Sequence, residues 1–97
     1  MTTSATGDNL VVTIQKLSEA ELNKRGIFDW DIWEKEVSEF DYHYDTEEQC
    51  YFLEGDVVVT AGDATYSFGK GDFVVFPRGL SCTWHINKPV RKHYQFA

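Results

Sequence analysis

Positive charge is scarce in this chain: nine Lys and Arg stand against sixteen Asp and Glu in 97 residues, a formal net charge of −7. Affinity for nucleic acid rests largely on cations that neutralise phosphates, so this balance argues against a nucleic-acid partner. Cysteine is limited to Cys50 and Cys82, too few for a disulfide framework, and each falls in an expected strand, where a free thiol packs as a small hydrophobe. No apolar run approaches the roughly 20 residues of a membrane helix, and the opening MTTSATGDN has neither the basic start nor the apolar run of a secretory signal. The expectation is a soluble cytoplasmic protein with no membrane partner. With only two prolines and seven glycines the chain is not of disordered composition.

What the chain has instead is aromatic mass. Phe, Trp and Tyr make up 15% of it, including Trp30, Trp33 and Trp84. A domain this short buries at most about two-thirds of its unfolded surface, so its core must lean on side chains that each bury on the order of 150–250 Å². The most legible stretch is Phe68–Pro77, FGKGDFVVFP. Its apolar run Phe73–Phe76 is too short for a helix, too continuous for a half-exposed strand, and fenced by Gly69, Gly71 and Pro77. It predicts a short strand buried on both faces. Upstream, CYFLEGDVVVTAGDATYSF gives three further β-rich runs split at Gly55-Asp56 and Gly62-Asp63. Short strands separated by glycine turns predict an all-β sandwich or closed barrel.

In chain order, residues 1–9 read as a disordered lead and 10–97 as one barrel domain, opening with a strand over Leu10–Lys16. Ser18 and Glu21 have the spacing of a capping box, which predicts a short helix ending near Gly26. Trp30–Tyr44 alternates with a phase change near Ser38-Glu39 and reads as two strands, or one with a bulge. An acidic turn, residues 45–48, leads into the strand from Gln49, and SCTWHI and VRKHYQF are expected as the last two strands.

Two stretches carry a family resemblance. Asp41-x-His43-x4-Glu48-x6-Gly55 resembles the first cupin motif, and Gly71-x5-Pro77-x-Gly79-x2-Cys82 the second. The wording around them is similar to the small single-domain cupins grouped with the ethanolamine-utilisation and (S)-ureidoglycine aminohydrolase cupins. The resemblance spans roughly residues 28–97. It implies a cupin double-stranded β-helix, a jelly-roll barrel of six to eight strands, with any site in the mouth and a homodimer as the assembly. Of the four metal-ligand positions the family implies, His43 and Glu48 match, Asp41 stands where the first His would be, and Cys82 where the last would be.

From the residues alone, Asp41 and His43 are two apart on a strand and share a face, while Glu48 begins the next strand on the parity of Cys50 and Phe52. With Cys82 inward, the four converge on a possible divalent site, imidazole and carboxylate suiting zinc, manganese or iron and a thiolate pulling toward zinc or copper. The alternative is a satisfied Asp-His pair with no ion, one acid protonated or facing water. Trp33, Phe40, Cys50, Phe52, Trp84 and Tyr94 read first as core residues, and the alternative makes them walls of a small-molecule pocket. Arg91 and Lys92 read as exposed charges, as do Glu34 and Lys35, and His85 and His93 as outward-facing.

Three functions follow. The first is a binding or sensing cupin with an incomplete metal site. The second is a metal-dependent enzyme acting on a small metabolite through Asp41, His43, Glu48 and Cys82. The third is a structural or partner-binding homodimer.

Overall fold

The computed structural model describes residues 10–97, and the expected disordered lead over residues 1–9 lies outside the described residues. The elements are β1 (Thr13–Gln15), α1 (Glu19–Lys24), a 3-10 turn (Ile27–Asp29), β2 (Asp31–Lys35), β3 (Ser38–His43), β4 (Glu48–Ala61), β5 (Ala64–Gly69), β6 (Phe73–Phe76) and β7 (Ser81–Phe96). Every strand pair is antiparallel.

Two long strands organise the rest. β4 pairs with β6 through Glu48–Tyr51 and with β5 through Asp56–Ala61, while β7 pairs with β3 through Ser81–Ile86 and with β2 through Val90–Tyr94. β4 and β7 also pair with each other along most of their length. Each therefore passes from one face of the barrel to the other: β1-β6-β4-β7-β2 forms one wall, and β5, β4, β7 and β3 the facing one.

The turn expected at Gly55-Asp56 is instead a bulge inside β4. Register shifts between Phe52 and Val57 move the inward parity from Glu48, Cys50 and Phe52 to Val57 and Val59. Gly55 has φ +135°, and a Cβ there would lie 3.0 Å from Val90 Cγ2. SCTWHI and VRKHYQF are likewise one strand. Residues 87–89 sit where β7 leaves β3 and joins β2, so the missing amide of Pro89 breaks no ladder bond in the observed registers.

The double burial of β6 is as expected and has a definite cause. Val74 and Phe76 face the barrel core, while Phe73 joins Leu22 and Ile27 in a second cluster outside the sheet. α1 and the 3-10 turn cover that outer face. The helix starts as its cap predicts, with Ser18 Oγ accepting from the Glu21 amide at 3.1 Å. The reciprocal half is absent because Glu21 instead accepts from Arg25 Nε at 2.7 Å, which holds its carboxyl below the usual range. The first strand is shorter than expected, Thr13–Gln15.

Candidate functional site

Alternation along β7 aims its even-numbered residues at the barrel interior: Cys82, Trp84, Ile86, Val90 and Lys92 are all buried. β3 faces the same interior with Phe40 and Tyr42, and Tyr44 follows on the same parity. Between them opens a cavity of about 180 Å³ lined by Trp33, Phe40, Tyr42, Tyr44, Glu48, Trp84, Lys92, Tyr94 and Phe96. Seven of these nine are aromatic. Phe40 stacks on Trp84 at 15° with centroids 5.8 Å apart, and Trp33 meets Trp84 edge-on at 6.0 Å.

The charge in this cavity is confined to one pair, beside the hydroxyls of Tyr42, Tyr44 and Tyr94. Lys92 Nζ donates to Glu48 Oε2 at 2.9 Å, and both side chains are only 5% exposed. The ammonium also sits 4.8 Å from the Trp84 ring centroid and 4.9 Å from that of Trp33. A buried carboxylate needs a compensating cation, and the aromatic faces present negative quadrupole to the same charge. Lys92 is thus fixed as the counter-ion of Glu48 rather than exposed as the sequence suggested. Its alternation with Val90 and Tyr94 was the available signal, and its charge obscured it. Arg91, one position along, is outside as expected, 3.5 Å from Glu34 Oε2.

Asp41 and His43 share a face, but it is the outer one. Thr83 Oγ1 donates to Asp41 Oδ1 at 2.8 Å, and Ser81 Oγ bonds His43 Nδ1 at 2.7 Å. The His43 side chain is 56% exposed, whereas Glu48 and Cys82 are buried inside. The four expected metal positions therefore lie on two sides of one wall and do not fit a common ion. Among the described residues no group of three or more His, Cys, Asp and Glu side chains is placed to hold one. The cause is the phase of β3: turning Asp41 and His43 inward would expel Phe40 and Tyr42 from the aromatic stack. His43 Nε2 lies 3.7 Å from the exposed Asp45 Oδ1, too far for a hydrogen bond, so the Ser81–His43 contact is a surface cross-strand pair.

Of the candidate pocket residues, Trp33, Trp84 and Tyr94 line the cavity, while Cys50 and Phe52 are packed behind it with no exposed surface. Phe40, read as core with a pocket wall as its alternative, lines the cavity too, and Tyr42, Tyr44, Lys92 and Phe96 were missed. His85 is outward, within 3.1 Å of Glu39 Oε1. His93 also leaves the interior, but the 3-10 turn covers it: its Nδ1 donates to the Trp30 carbonyl at 2.9 Å and Phe28 packs edge-on against it.

The description of an EutQ-like cupin domain matches residues 22–94, three-quarters of the chain. The chain belongs to the EutQ-like cupin family. Among solved structures, this cupin is similar to a DUF861 family protein from Thermotoga maritima at 51% identity and TM-score 0.88, covering 90% of this chain and 100% of that one. It shares its fold with a putative ethanolamine utilization protein Q from Salmonella typhimurium (19% identity, TM-score 0.61, 88% of this chain and 68% of that one). The same holds for the Clostridium difficile EutQ protein (18% identity, TM-score 0.62, 94% and 71%). No curated protein matches the chain.

Burial sets the remaining chemistry of the cupin interior. It pushes the Cys50 thiol up to about 12 and the Cys82 thiol to about 11, with the Glu48 carboxylate adding to both. Burial likewise raises the phenols of Tyr42 and Tyr44. Neither thiol is a nucleophile at neutral pH, and Cys50 Sγ instead donates to the Val74 carbonyl at 3.5 Å. Among the described residues no helix is long and apolar enough to cross a membrane.

Proposed function

We propose that this cupin binds a small organic molecule in the barrel cavity, the aromatic rings serving as walls and the Glu48–Lys92 pair as the polar anchor. The observation that carries the reading is this ion pair, enclosed at the base of an otherwise aromatic opening. Small-ligand sites combine apolar walls with a few fixed polar groups, and this cavity has both. The anchor uses an ammonium where the family resemblance implied an ion, so binding here does not depend on Asp41 or His43.

The test is the set of three indole N–H resonances, followed during titration with toluene, 2-pyridone and benzoate. Trp33 and Trp84 line the cavity and Trp30 lies in the outer cluster, so binding shifts the first two and leaves the third. If no probe moves Trp33 or Trp84, or if Trp30 moves alone, the cavity is not a binding site.

The homodimer is part of the same proposal. Among the described residues β2 ends the strand order with an unpaired edge, and Ile32 on it is 42% exposed. Sedimentation across a dilution series is expected to show a dimer that Ile32→Lys dissociates; a monomer at every concentration overturns it.

A further inference from the structure

Resting on the binding reading above, we infer that the guest of this cavity is an uncharged, planar molecule of about one ring that presents a carbonyl oxygen beside an N–H, as a cyclic amide does. Size comes first. The cavity measures about 180 Å³, and an apolar cavity of about 150 Å³ accepts benzene. Shape agrees, because the Phe40–Trp84 stack and Trp33 present flat faces.

Charge is the discriminating property. Glu48 and Lys92 already neutralise one another at 5% exposure. A carboxylate guest brings one uncompensated negative charge into an apolar enclosure, inside a chain whose net charge is −7. A cationic guest competes with Lys92 for Glu48 and leaves one positive charge in excess. An uncompensated buried charge is costly in either sign, whereas a neutral guest need only match hydrogen bonds.

The hydrogen bonds available fix the polar pattern. Lys92 has three N–H donors, of which Glu48 Oε2 takes one. Trp84 Nε1 is buried without a partner, alone among the buried side-chain polar atoms of the described residues. Its ring centroid is 4.8 Å from Lys92 Nζ, so the spare donors belong to adjacent residues. That indole N–H is fully covered, with the Tyr44 hydroxyl and the Cys82 thiol beside it, so Lys92 is the donor a guest can reach. The guest must therefore bring an acceptor for Lys92, and its own N–H has the Glu48 carboxylate to donate to.

Calorimetric titration with 2-pyridone, toluene, benzoate and benzylamine, alongside the indole N–H shifts, tests this. The expected result is 2-pyridone binding at least about tenfold more tightly than each of the others. In the double variant Glu48→Leu/Lys92→Met, which removes both charges at similar volume, the preference for 2-pyridone over toluene should fall at least about tenfold. Tighter benzoate or benzylamine binding overturns the uncharged class, and equal toluene binding overturns the polar match; in each case binding in the cavity still stands. Failure of all four probes to shift Trp33 and Trp84 overturns both proposals. Should the double variant not fold, the ranking of the four probes on the native protein decides alone.

Discussion

Replacing Lys92 by Met keeps most of the side chain's length and apolar stem while removing its charge. The ammonium that leaves is the hydrogen-bond partner of Glu48 at 2.9 Å, and Glu48 stays behind at 4% exposure. Orphaning one member of a buried pair costs about 3–5 kcal/mol, mostly as the penalty of the unpaired charge. Loss of the contacts to the Trp84 and Trp33 rings, at 4.8 and 4.9 Å, adds about 0.5–2 kcal/mol. For a domain of this size, 1 kcal/mol moves Tm by about 4–8 °C, so a fall of at least about 12 °C is expected. Glu48→Leu should cost a similar amount, because it orphans the ammonium instead. The double variant should return to within about 1 kcal/mol of the native protein, since a buried pair replaced by apolar groups is often neutral. Urea denaturation of all four proteins closes the cycle, and the coupling should persist in 1 M salt because little solvent reaches the pair. Single variants that each cost under about 1 kcal/mol and simply add would mean the pair is solvated, since exposed pairs behave in that way.

The buried thiols make a pH prediction. Their folded values of about 12 and 11 lie above the ordinary value of 9.0, so between pH 9 and these values the unfolded chain has released protons that the fold retains. Stability should therefore fall as pH rises above about 9, and Cys50→Ala should flatten that slope; an unchanged slope contradicts the assignment. At pH 7.5 neither thiol should react with a disulfide reagent until the protein is unfolded. Gly69→Ala places a methyl group against the Gly55 carbonyl oxygen, well inside contact distance, and should cost about 1–3 kcal/mol by urea denaturation. Gly62→Ala tests space separately: a Cβ there meets nothing, leaving only the strain of φ +58° and a smaller loss. Zinc, manganese or iron added to tag-free protein should give the same thermal response in Asp41→Ala and His43→Ala as in the native chain, and a stoichiometric metal lost in those variants would return both residues to a metal site.

Local signals in the chain set the punctuation of this protein: the turns at Gly62 and Gly71, the Ser18 helix start, the doubly buried Phe73–Phe76 strand, and the two motif spacings that mark an EutQ-like cupin. These are local properties. A residue that must adopt positive φ, a hydroxyl three residues from an amide, and an apolar run with no polar face each act on their own neighbourhood. Which face of each strand meets the interior was settled instead by packing between strands. Alternation divides β3 into Asp41 with His43 and Phe40 with Tyr42, but the choice between the two sets belongs to Trp84 and Trp33, which wait on other strands to complete a stack with Phe40. Lys92 is the sharper case. Read alone it is a surface charge, and Glu48, 44 positions earlier, makes its burial possible by supplying the opposite charge at 2.9 Å. Charge compensation at that sequence distance exists only once β4 and β7 have paired.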